Sequence, residues 1–85
     1  MIDLAGYSKV AIVTGCSSGI GLATTLLFLR HQYQVFGIDI ASFDYKVLDR
    51  LNGGQFQEKF HFHLGDLTQP GECELGVRIC ISEFG

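Results

Sequence analysis

Residues 14–21 read Thr14-Gly15-Cys16-Ser17-Ser18-Gly19-Ile20-Gly21, and they join an apolar β-like run, Lys9 to Val13, to an apolar helix-like run that begins near Ile20. A turn of this kind suits a bound phosphate group. Backbone that must approach a pyrophosphate closely cannot carry a Cβ at the contact, and helix-opening N–H groups together with the helix dipole favour an anion. Gly15 fits the tight turn leaving the strand, Gly19 the close approach, and Gly21 the packing of the helix onto the sheet. Ser17 and Ser18 add hydroxyl donors at the mouth, and Ile20 completes the cradle. No Gly-Lys-Ser/Thr follows, which excludes a Walker-type loop.

Working outward, β-like runs start at Lys9, Gln34 and Lys59, a regular spacing of 25 residues, and each is followed by a helix-like segment. The order is β-α-β-α-β-α. Val10-Ala11-Ile12-Val13 and Val35-Phe36-Gly37-Ile38 are apolar without alternation, as expected for strands covered on both faces of a parallel sheet. The first helix is expected from about Gly19 to His31, with Ile20, Ala23, Leu26, Leu27 and Phe28 as its apolar surface. The second is expected from about Phe43 to Leu51, N-capped by Ser42, burying Val47, Leu48 and Leu51, and stopped by Asn52-Gly53. The third follows Thr68 and Pro70, carries Glu72 and Glu74 in its opening turn, buries Val77, Cys80, Ile81 and Phe84, and ends at Gly85.

With right-handed crossovers this predicts an α/β fold: the βαβαβα half of a doubly wound (Rossmann) parallel sheet, three strands in the order 3-2-1, in a single partial NAD(P)-binding domain spanning 1–85. In the full order 3-2-1-4-5-6 the first strand is interior. Here its fourth-strand neighbour is absent, so the first strand would expose unpaired N–H and C=O groups and favour self-association.

At 85 residues the chain forms one domain at most, and a domain of that size buries only roughly 60 to 65 % of its unfolded surface. Hydrophobic residues make up 47 % and charged ones 18 %, with mean hydropathy +0.27. That balance resembles the interior of a larger protein and points to a piece of one. Net charge is −3 with six scattered basic residues, which argues against a nucleic-acid partner. No apolar stretch approaches the ~20 residues of a bilayer span, and Asp3 stands where a signal peptide would be basic. A soluble, cytoplasmic chain without a membrane partner is expected.

The cysteines Cys16, Cys73 and Cys80 are odd in number and lack metal-type spacing, and are read as free thiols. Cys16, near a helix N-terminus, is the one whose thiol pKa that position could lower. His61 and His63 alternate with Phe60, Phe62 and Leu64, placing both imidazoles and Lys59 on one strand face. No third ligand accompanies them, so no metal site is assigned.

Asp39 closes the second strand 18 residues beyond Gly21, where an acid is expected to accept hydrogen bonds from the adenosine ribose hydroxyls. A 2′-phosphate beside that carboxylate would cost about 4 kcal/mol at ~4 Å and an effective dielectric near 20. No Arg or Lys neighbours Asp39, so NAD is expected to be preferred over NADP.

These residues resemble the short-chain dehydrogenase/reductase family, whose cradle is Thr-Gly-x-x-x-Gly-x-Gly and whose members carry acids like Asp39 and a motif like Asp66-Leu67-Thr68 after the second and third strands. The resemblance spans Lys9 through Gly85. It implies that Asp66 hydrogen-bonds the adenine amino group and that Leu67 lines the adenine pocket. It also implies hydride transfer between a nicotinamide cofactor and a hydroxyl/carbonyl small-molecule substrate in a full-length parent.

The family's Asn-Ala-Gly motif, its Ser and its Tyr-x-x-x-Lys pair are not in this chain. Four residues after Tyr7, Tyr33 and Tyr45 stand Ala11, Gly37 and Asp49. Without an adjacent lysine no tyrosine is brought from ~10 toward neutrality. No catalytic residue is therefore assigned, and the chain alone is expected to be inactive. The alternative is a non-catalytic adenine-nucleotide-binding or interaction module that pairs through its exposed sheet edge.

Overall fold

A computed structural model describes residues 9–49 and 58–84. Strand β1 (Val10–Thr14) leads into helix α1 (Gly19–Arg30), strand β2 (Gln34–Asp39), a short helix α2 (Lys46–Asp49), strand β3 (Phe60–Leu64) and helix α3 (Glu72–Phe84). The strands form one parallel sheet in the order β1-β2-β3, the expected 3-2-1 half of a doubly wound sheet. Val13 faces Gly37 and Ile38 faces His63 in the register.

Helices lie on both faces, and alternation along β2 sorts its side chains between them. Val35 belongs to the cluster with Val13, Cys16, Leu29, Phe43, Leu48 and Phe60, against which Leu22, Leu26 and Phe28 of α1 pack. Phe36 and Ile38 point the other way, to Cys80, Ile79 and Phe84 of α3. β2 is accordingly the strand that is buried throughout its middle, and its continuous apolar run reflects that burial.

β1 does not share this environment. Of its residues only Val13 is buried, while Val10 and Ile12 are 39 % and 45 % exposed. The expected covering of both faces is not realised for β1, one of the two edge strands, because α1 packs on one of its faces and α3 lies chiefly on β2. The same gap corrects the reading of α3. Cys80 is buried, but Val77 and Ile81 are 41 % and 63 % exposed, and Ile81 lies in an open groove with Val10 of β1 rather than in a packed core.

The helices also depart from expectation in detail. α1 turns Leu22, Leu26, Phe28 and Leu29 to the core, whereas Ile20 and Leu27, expected on that surface, are exposed and Ala23 likewise. Thr25 is fully buried and satisfied by donating its hydroxyl to the Gly21 carbonyl at 2.9 Å. Such a back-bond lets a threonine occupy a core-facing helical position.

α2 begins at Lys46 rather than Phe43, so Ser42 is not its N-cap. Asp44 Oδ1 instead accepts from the Lys46 amide at 3.0 Å. Phe43 is freed for the core, its ring 4.4 Å from that of Phe60. The expected burial of Leu51, the Asn52-Gly53 stop and the Gly85 end lie outside the described residues.

Lys59 precedes β3, which begins at Phe60, and donates from Nζ to Gln32 Oε1 at 2.8 Å. His61 and His63 do share a face, the one under α3. Among the described residues no helix is long and apolar enough to cross a membrane.

Candidate functional site: a cleft at the carboxyl ends of the strands

The hydrogen-bond ladder runs past the strands into the loops. The Gly15 amide donates to the Ile38 carbonyl at 2.7 Å, and the Gly65 amide donates to the Asp39 carbonyl at 2.9 Å. Two consecutive carbonyls at the end of β2 thus anchor the loops that follow β1 and β3. Parallel strands place all these ends on one edge, and an open cleft of about 220 Å³ lies there, lined by Gly15, Ile38, Asp39, Ile40, Gly65, Asp66, Leu67 and Thr68.

On the first loop Gly15 and Gly19 adopt φ values of +66° and +56°, a region that disfavours a Cβ. A Cβ on Gly19 would meet nothing within 4 Å, so the loop leaves open space where an anion could rest. A Cβ on Gly21 would lie 1.8 Å from the Gly15 carbonyl oxygen. The opening turn of α1 therefore sits directly on the end of β1. Ser18 is the N-cap of α1 in extended conformation, and its side chain makes no capping bond, while the first amides of the helix lack intrahelical partners by construction.

Ser17 is used differently from expectation. Its hydroxyl donates to the Ala41 carbonyl at 2.8 Å and its amide donates to Asp39 Oδ2 at 2.9 Å. The other carboxylate oxygen, Oδ1, accepts from the Ala41 amide at 3.1 Å. These amide donors, Ser17 first, hold the Asp39 carboxyl below the usual carboxylate range. Asp66 is held low as well, chiefly by the Thr68 hydroxyl, which donates to Oδ1 at 2.6 Å, and by the Thr68 amide at 2.9 Å. Both carboxylates are thus ionised acceptors at neutral pH.

Cys16 carries no activated thiol. It is fully buried between Gly37 and the rest of the core, and burial pushes its pKa up to about 11, with the Asp39 charge adding to the rise. The position near a helix N-terminus is outweighed by loss of solvent. All three cysteines are free.

The cleft gathers Gly15, Asp39, Asp66 and Leu67, with Ser17 bonded to Asp39 beside it. Ser18 and Ile20 stay on the exposed rim of the loop, Ile20 at 87 % exposure. Four wall residues were not among the site residues named from sequence: Ile38 at the end of β2, Ile40, which follows Asp39 and is 70 % exposed, Gly65, which precedes Asp66, and Thr68, which follows Leu67. An apolar residue next to a strand-ending acid was the available signal for Ile40. Among the described residues no group of three or more His, Cys, Asp or Glu is arranged to hold a metal ion.

Comparison with known proteins agrees with this architecture. The short chain dehydrogenase family model matches residues 9–85. Over 76 residues the chain is 58 % identical to the short-chain dehydrogenase/reductase olcF of Penicillium canescens and 38 % identical to the short-chain dehydrogenase/reductase cdmF of Talaromyces verruculosus. Each of these matches covers 89 % of this chain and 27 % of the relative. A bacterial relative, the 2-(R)-hydroxypropyl-CoM dehydrogenase of Xanthobacter autotrophicus, is 30 % identical over 78 residues, 92 % of this chain and 31 % of its own length. The chain thus spans about a quarter to a third of the length of these curated relatives. With the glycine turn, the parallel 3-2-1 sheet and the family match in agreement, the chain belongs to the short-chain dehydrogenase family.

Proposed function

We propose that this chain is the NAD-binding N-terminal part of a short-chain dehydrogenase-like oxidoreductase. The observation that carries the reading is the single cleft that brings Gly15, Asp39, Asp66 and Leu67 together at the carboxyl ends of three parallel strands, where open α/β sheets take their ligands. In this reading the pyrophosphate rests on the amides around Gly15, Ser17, Ser18, Gly19, Ile20 and Gly21. Asp39 accepts from the adenosine ribose hydroxyls. Asp66 accepts from the adenine amino group, and Leu67 lies against the ring.

The open space at Gly19 and the two ionised acceptors suit the group. When bound, the nicotinamide supplies hydride chemistry between a hydroxyl and a carbonyl carbon. The residues of this chain bind and orient, and we assign none of them a proton-transfer role. NAD is favoured over NADP because Asp39 presents its charge where a 2′-phosphate would sit, and no basic residue neighbours it. Free thiols and the acidic net charge fit a cytoplasmic protein without a nucleic-acid partner.

Calorimetric titration with NAD, NADP and ADP-ribose, on the wild type and Asp39→Ala, tests the site without assuming chemistry. Tighter binding of NAD than NADP, narrowed in the variant, is the expected result. An unchanged preference in Asp39→Ala removes the ribose assignment. Turnover of any alcohol with NAD by the purified 85-residue chain would overturn the reading that it binds without catalysing.

The edge position of β1 favours a second reading, in which the chain pairs through that strand as a nucleotide-binding or interaction module. A defined dimer in solution would support it, and a monomer at all concentrations would exclude it.

A further inference from the structure

Behind the cleft the sheet presents two imidazoles to α3. His61 Nδ1 lies 3.3 Å from Glu83 Oε2 near the end of the helix, and His63 Nε2 lies 3.8 Å from Glu72 Oε2 at its first residue. The second pair is incomplete: His63 Nε2 is shut off from solvent and has no hydrogen-bond partner. At 3.8 Å the two atoms are beyond hydrogen-bond length.

The gap between them abuts Gly65. A Cβ placed there would lie 3.0 Å from His63 Nε2 and 3.1 Å from Glu72 Oε2. Gly65 is also the residue whose amide is held by the Asp39 carbonyl and whose backbone opens the Gly65–Thr68 wall of the cleft.

We propose that His63 and Glu72 are positioning residues for the dinucleotide, closing into an ion pair on protonation of the imidazole and thereby fixing the wall formed by Gly65, Asp66 and Leu67. The inference rests on the nucleotide-binding reading above. A charged donor on Nε2 needs to travel about 1 Å to meet the carboxylate. That movement draws the first turn of α3 onto the end of β3 and holds the intervening turn. A wall already held loses less freedom when it takes a ligand, so affinity rises.

The other groups facing this site do not compete for the role. Phe36 of β2 stacks on His63 at 6.4 Å between ring centres and carries no charge. Glu83 of α3 is engaged by His61. Asp66 and Asp39 are occupied by Thr68 and by Ser17 and Ala41, and both are held below the usual carboxylate range. Imidazole is the side chain that changes charge between about pH 5 and pH 8.

NAD is titrated calorimetrically into the purified protein at about pH 6 and about pH 8, the two sides of imidazole titration. The wild type is expected to bind about threefold to fivefold more tightly at the lower pH, the scale of a partly exposed ion pair. His63→Gln and Glu72→Gln are expected to lose that dependence, whereas His61→Gln keeps it. In the ligand-free protein the Gly65 amide resonance should follow the titration in the wild type and not in Glu72→Gln, a variant of a partly exposed side chain that leaves the core intact. Equal NAD affinity of the wild type at both pH values, or a dependence retained in His63→Gln, overturns the pairing and leaves the nucleotide reading standing. Absence of NAD binding at both pH values brings down the nucleotide reading and the pairing with it.

Discussion

The amide of Ser17 donates to Oδ2 of Asp39 across 2.9 Å, so one carboxylate ties the loop after β1 to the end of β2. The acid read as a ribose acceptor is also a fastener between the loops of its own site. Its second oxygen holds the Ala41 amide, and the Ser17 hydroxyl returns to the Ala41 carbonyl.

This fastening has a pH signature. Because the two amides hold the Asp39 carboxyl low, its contribution is present above the unfolded carboxylate value and is lost as pH falls through the folded one. Asp39→Asn should lower stability at neutral pH by about 1 kcal/mol, the net worth of a partly solvated charge-assisted bond. Thermal unfolding followed by circular dichroism from neutral to acid pH should show wild type and variant converging at the acid end.

Two glycines in the opening turn of α1 should fail in different ways. Gly21→Ala drives a Cβ into the Gly15 carbonyl oxygen, backbone against backbone, and should cost about 3 kcal/mol or more. Gly19→Ala meets no atom and costs only its positive φ, roughly 1 to 2 kcal/mol. Denaturant melts should rank the variants in that order, while ADP-ribose titration of the better-folded Gly19→Ala should still show weakened binding.

Thiol labelling should follow burial rather than proximity to the cleft. Cys73 is exposed, and Cys16 and Cys80 are buried, so a thiol reagent at neutral pH should label one site in the native protein and all three only on unfolding. Cys16, raised to about 11, favours the neutral thiol in the folded state. Stability should therefore hold below the unfolded thiol value and decline as pH rises from there through the folded one. Mass spectrometry of labelled peptides and an alkaline melt series check the two statements.

The uncovered side of the sheet should drive association. Val10, Ile12 and Ile81 are exposed on and beside the edge strand, and Val10, Ile81, Cys80 and Phe84 line a groove there. Ile12→Lys combined with Ile81→Glu should shift sedimentation profiles toward monomer, since a charge on an edge opposes strand pairing. A wild type that stays monomeric over the whole accessible concentration range would contradict this.

Alone, the sequence determined the strand–helix alternation, the parallel 3-2-1 order and the placing of the glycine turn, Asp39 and Asp66 at strand ends. Those depend on local signals: apolar runs of strand length, glycines where φ turns positive, and right-handed crossovers. Which side of α1 faces inward, the start of α2 at Lys46 and the exposure of Val77 and Ile81 were decided only in three dimensions. Burial depends on what lies opposite a residue, and an apolar side chain reads the same whether its partner is present or not. The engagement of Ser17 with Asp39 and the approach of Glu72 to His63 belong to the tertiary structure for the same reason. Each joins residues that are brought together only when parallel strands align their carboxyl ends.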